Sequence, residues 1–68
     1  MKTNLKPARK EKGLTQDQFA NQIRVSLRTY QRYESGKRIP NVNIAKEMAT
    51  VLNSTVEELF GESVAKQA

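Results

Sequence analysis

The sequence predicts a compact all-α domain of five short helices joined by short connections. Three observations predict it. Apolar residues recur at three- and four-residue spacing, and β-branched alternation of the strand type is absent. A residue able to cap a helix, Asn4, Thr15, Ser26, Asn41 or Thr55, precedes each apolar cluster. A residue that tolerates the left-handed backbone, Gly13, Gly36, Asn53 or Gly61, follows most of them.

Asn4 is expected to cap a first helix over about 5–12. Pro7 falls in its first turn, where a missing N–H costs nothing, and Gly13 ends it. Thr15-Gln-Asp-Gln18 reads as a capping box for a second helix over about 16–23. Leu14 and Phe19 occupy the staple positions around that cap, and Phe19, Ala20 and Ile23 form an apolar stripe. Ser26 caps a third helix over about 27–34, with Val25 and Tyr30 as its staple and Gly36 as its stop. Ile39-Pro40-Asn41 is extended, because the residue before proline avoids the helical region. Asn41 then caps a fourth helix over about 42–52, with Ile44, Ala45, Met48, Ala49 and Leu52 facing inward. Thr55-Val-Glu-Glu58 is a second capping box, for a fifth helix at about 56–60 with Leu59 as its core residue. Residues 1–61 are expected to form one domain and 62–68 a short tail.

Charge is unevenly spread. Residues 1–38 hold ten Lys/Arg and three Asp/Glu, 10 − 3 = +7, whereas residues 39–68 hold two and four, 2 − 4 = −2. A basic half suits a polyanion, and an acidic half stays away from it. The chain has no Cys and no His. Disulfides, thiolate metal sites and histidine catalysis are therefore excluded. No carboxylate pair stands out as an acid/base couple, and the three glycines do not form a phosphate loop. The expectation is a binding protein without enzymatic activity, metal, cofactor or small-molecule ligand. No apolar run approaches a membrane span and no signal-peptide pattern opens the chain, so a soluble, cytoplasmic protein is expected.

The second and third helices, each capped and joined by about three residues, must cross steeply. That is helix-turn-helix geometry, in which the second of the pair lies in a DNA major groove. Gly13-Leu-Thr-Gln16, Phe19-Ala20, Val25-Ser26 and Glu34-Ser-Gly-Lys-Arg-Ile-Pro40, with Arg9 upstream and Leu52 and Leu59 downstream, carry a further likeness. Together they resemble the Cro/repressor family of XRE-like helix-turn-helix proteins, over about residues 5–60. The resemblance implies a five-helix DNA-binding domain acting as a dimer on near-palindromic operators. It also places Arg9 beside Glu34, as a pair linking the first helix to the end of the third. Two positions depart from the family pattern. Arg24 stands in the turn that usually carries Gly, at a cost of roughly 1 kcal/mol if φ stays positive. Asn53-Ser54 replaces a common Gly-Val pair.

On a wheel with Leu27 at 0° and ~100° per residue, Leu27, Gln31, Ser35, Arg28 and Arg32 fall between about 0° and 140°. Thr29, Tyr33, Tyr30 and Glu34 fall between about 200° and 340°. Tyr30 is the staple partner, so the tyrosine arc faces inward; stacking on unpaired bases is the other use of two tyrosines. Leu27, Arg28, Gln31 and Arg32 then face outward as base-reading residues. Arg suits guanine O6 and N7, Gln suits adenine, and an aliphatic chain suits the thymine methyl. Gln16, Lys37, Arg38 and Asn41 are expected on phosphates, and Asn41 serves equally as a cap. Val56, Phe60 and Val64 are the candidate homodimer contact. The expected function is a sequence-specific regulator of transcription on double-stranded DNA, most simply a repressor. Three alternatives share the fold: an antitoxin, a restriction-modification control protein, and a protein-interaction module that does not bind DNA.

Overall fold

A computed structural model of the chain describes residues 3–61. Its helices are α1 (Leu5–Glu11), α2 (Gln16–Gln22), α3 (Leu27–Ser35), α4 (Val42–Val51) and α5 (Val56–Phe60). Among the described residues no strand occurs, and no helix is long and apolar enough to cross a membrane.

The start signals act largely as the sequence implies. Thr15 Oγ1 accepts from the Gln18 N–H, and Gln18 Oε1 accepts from the Thr15 N–H, closing the first capping box. Ser26 and Asn41 accept from the Thr29 and Ile44 amides. Two expectations change. Asn4 stands at the N-cap of α1 without a side-chain cap. Its amide instead donates to the Glu58 carbonyl at 2.8 Å, and its backbone N–H to the Leu59 carbonyl at 2.9 Å. Asn4 therefore ties α1 to α5, because a partner in another helix outbids the local one. The second capping box forms only by half. Thr55 caps the Glu58 amide, while the Glu58 carboxylate accepts from the Ser54 hydroxyl at 2.9 Å.

Four helices stop in the same way. After α1, α2, α3 and α4, the residues Gly13, Arg24, Gly36 and Asn53 take positive φ (73°, 60°, 81° and 53°). In each case the next amide reaches back five residues, as in Leu14 N–H to Arg9 O, Val25 to Ala20, Lys37 to Arg32 and Ser54 to Ala49. This is the Schellman arrangement, which satisfies carbonyls that the helix end leaves bare. Leu14 and Val25, the residues after the first two stops, then turn onto the core. Arg24 holds the left-handed conformation with a Cβ, so Arg24→Gly should stabilise the domain by about 1 kcal/mol. A thermal melt should show Tm rising by roughly 4–8 °C. An unchanged Tm would mean that the turn carries no strain.

The core joins all five helices. Leu5, Phe19, Ala20, Ile23, Tyr30, Tyr33, Ala45, Met48, Ala49, Leu52, Leu59 and Phe60 are buried, and Leu14, Val25, Ile44 and Val56 pack against them. Phe19 meets Tyr30 edge to face, with ring centroids 5.1 Å apart. That contact fixes α3 on α2. The placement of Phe60 is a correction: it is 3% exposed and belongs to this core, so its ring is closed to a second copy. Five residues of α5 are too few to bury Leu59 alone, and Phe60 seals the domain beside it. Val56 is half-buried, and Val64 lies outside the described residues.

Candidate nucleic-acid interface

The third helix divides into two faces. Tyr30 and Tyr33 are buried, Thr29 and Glu34 are half-buried, and Leu27, Arg28, Gln31, Arg32 and Ser35 are exposed. Ser26 opens the helix and Gly36 closes it, so the exposed face runs along about two and a half turns. Leu27 is 39% exposed, and with Ile39 it is one of two large apolar side chains left open among the described residues. Arg28 and Arg32 have no carboxylate partner within the ion-pair distance among the described residues. Two like charges one turn apart repel mildly in the free protein. An anionic surface would relieve that repulsion.

Behind this face lies a polar cluster centred on Glu34. Its Oε2 accepts from Arg9 Nε at 3.0 Å and from the Tyr30 hydroxyl at 2.5 Å. Its Oε1 accepts from Gln16 Nε2 at 3.0 Å. Its backbone carbonyl accepts from the Thr3 hydroxyl at 3.1 Å. Arg9 also donates through Nη1 to the Leu14 carbonyl at 2.7 Å. One carboxylate thus holds α1, α2 and α3 together. Burial opposes its charge, but the hydrogen bonds from Tyr30, Arg9 and Gln16, with the Arg9 charge, outweigh that and hold its carboxyl below the ordinary range. The same burial, reinforced by the bond to Glu34, pushes the Tyr30 hydroxyl well above its ordinary value. For Arg9 burial again works against charge, and the Glu34 partner overcomes it, raising the guanidinium further.

Sequence reasoning missed two links here. Tyr30 packs inward as expected, and the partner that its hydroxyl needs is the Glu34 carboxylate, whose shell it completes. The four-residue step from Tyr30 to Glu34 is the signal that could have found it. Gln16 is half-buried, and its side chain bonds within the protein: beyond Glu34, its Oε1 accepts from Gln31 Nε2 at 3.2 Å. Nothing in the spacing of residues 16 and 31 announces this contact. It needs the crossing of α2 over α3.

The segment that follows α3 is cationic. Lys37 and Arg38 are exposed, and their backbone amides both return to the Arg32 carbonyl, at 3.0 and 3.3 Å. The Arg38 guanidinium stands 6.0 Å over the Tyr33 ring. Asn41 is exposed and uses Oδ1 for its cap, so the cap makes no use of the Nδ2 donors. Among the described residues no group of His, Cys, Asp or Glu could hold a metal ion.

The family description that matches this chain is "Helix-turn-helix", over residues 5–59. The cryptic phage CTXphi transcriptional repressor RstR of Vibrio cholerae is 36% identical over 61 residues, 90% of this chain and 54% of the repressor. An HTH-type transcriptional regulator of Archaeoglobus fulgidus is 33% identical over 60 residues, 88% of this chain and 86% of that one. The HTH-type transcriptional activator BcrR of Enterococcus faecalis is 38% identical over 56 residues, 82% of this chain and 28% of the activator. The chain thus spans only part of the longer relatives, and the shared part is the domain built around α2 and α3. With that match running from the start of α1 into α5, the chain belongs to the Cro/repressor (XRE-type) helix-turn-helix family.

Proposed function

We propose that this chain is a cytoplasmic, sequence-specific regulator of transcription that reads double-stranded DNA with α3 in the major groove. It acts as a repressor, bound as a homodimer to a near-palindromic operator. One observation carries the reading. The exposed face of α3 presents Leu27, Arg28, Gln31 and Arg32 together, with no ion-pair partner for either arginine among the described residues, on a helix whose opposite face packs into the core. Those side chains match the hydrogen-bonding and methyl groups of base edges. Lys37, Arg38 and Asn41 on one flank, and Gln16 with the first amides of α2 on the other, would hold the backbone and set the register. The repressor relative supports the sign of regulation.

The domain measures 28 × 22 × 19 Å. Two copies whose reading helices are one DNA turn apart, about 34 Å, would therefore meet edge to edge. Selection from random duplexes should recover an inverted repeat; recovery of no sequence preference would overturn the reading. Lys37→Ala should weaken binding to all sequences alike and reduce the slope of log K against log salt by about one unit. A change confined to one base position would instead move Lys37 onto the reading face.

A further inference from the structure

We propose that Glu34 and Gln16 are positioning residues for base recognition: the Glu34 carboxylate sets the orientation of the Gln16 amide, which sets that of the Gln31 amide. This deepens the DNA-reading proposal above and rests on it. The argument follows from what each group can donate. An ionised carboxylate only accepts hydrogen bonds, whereas a glutamine amide donates from one end and accepts at the other. Glu34 Oε2 is occupied by Arg9 and Tyr30, which leaves Oε1 for Gln16. Gln16 must therefore turn its NH2 toward Glu34; the reverse orientation would set two acceptors face to face. Its carbonyl oxygen then points to Gln31, and Gln31 has to donate to it, at 3.2 Å.

The consequence reaches the DNA side. Gln31 spends one N–H inside the protein and keeps its carbonyl oxygen and a second N–H for the groove, in a fixed order. Adenine offers N7 as acceptor and N6 as donor, so one acceptor and one donor held in register suit it. A glutamine free to rotate its amide would present either order. Glu34 thus acts on recognition without touching DNA, through two amides and at the expense of one donor.

The test is a base-by-base binding profile of the whole chain. Gln31→Ala first identifies the position that Gln31 reads, as the one where preference is lost. Gln16→Ala should then reduce preference at that same position by about five-fold or more, with the positions read by Arg28 and Arg32 unchanged. Gln16 starts α2 outside the core, so this variant keeps the Arg9–Glu34–Tyr30 cluster intact. Glu34→Gln should have the same effect, since Arg9 only donates and keeps the new carbonyl oxygen, which turns the new NH2 toward Gln16 and reverses the order of donors along the chain. Adding Gln16→Glu to Glu34→Gln should restore the preference, because the new carboxylate accepts from both neighbouring amides, although overall affinity falls from repulsion of phosphates. A Gln16→Ala profile lowered equally at every position, or no recovery in a double variant whose circular dichroism shows it folded, overturns the relay alone. A wild-type chain that selects no sequence overturns the DNA reading and the relay with it.

Discussion

Arg9→Met should lower the unfolding free energy by about 3–5 kcal/mol, the cost of leaving one member of a buried ion pair without the other. Both side chains of the Arg9–Glu34 pair are only 9% exposed, so solvent screens little of the loss. The substitution removes the bond to Glu34 and also the one to the Leu14 carbonyl. A domain of this size has roughly 3–10 kcal/mol of stability in total. Urea denaturation should therefore find the variant near the edge of folding, and an unchanged midpoint would show that the pair contributes nothing. Combining it with Glu34→Leu should recover part of the loss, since apolar pairs often replace buried ions well. Recovery stays partial because Tyr30 and Gln16 then lose their acceptor.

The pair also sets an acid limb. The folded-state pKa of Glu34 lies below its unfolded value near 4.5, so the folded state binds fewer protons in that range. Its stabilisation is fully present above about pH 4.5 and is lost as the pH falls through the folded value. Removing the Arg9 partner brings the two values closer, and the acid limb of stability against pH should flatten.

The helices were legible because each carries its own punctuation. Thr15, Ser26 and Asn41 act through bonds to amides three residues on, which any local reading can find. The stops at Gly13, Gly36 and Asn53 were legible for the same reason, whereas at Arg24 the residue type left open whether the turn keeps positive φ or is reshaped, and the structure keeps it. The two faces of α3 followed from helical period alone, and the exposed and buried residues divide as the wheel divides them. What escaped was contact between distant elements. Asn4 has a local use as a cap and a distant one on α5, and the sequence shows only the first. Phe60 at the end of a five-residue helix could face either way until Leu59 is placed. Gln16 has a clear position at the start of α2, but its partners Glu34 and Gln31 appear only when two helices cross.

Arg32→Ala should cost about 1–3 kcal/mol per half-site and relax preference at one base position there. A homodimer carries the substitution twice. On a full inverted repeat the loss should therefore be about 2–6 kcal/mol, or roughly 30-fold to more than 10⁴-fold in affinity. That is a large share of the ~4–10 kcal/mol that separates specific from non-specific binding. The comparison of a full operator with a half-site duplex tests two ideas at once. A free-energy loss twice as large on the full site supports the dimer; equal losses on both would leave a monomer reading one half-site. Arg32→Lys separates charge from geometry. Lysine keeps the cation but not the planar fork that meets guanine O6 and N7 together. It should relax the same base position while leaving the salt slope nearly unchanged. If Arg32→Lys instead binds like wild type at every position, Arg32 supplies charge alone, and the reading face shrinks to Leu27, Arg28 and Gln31.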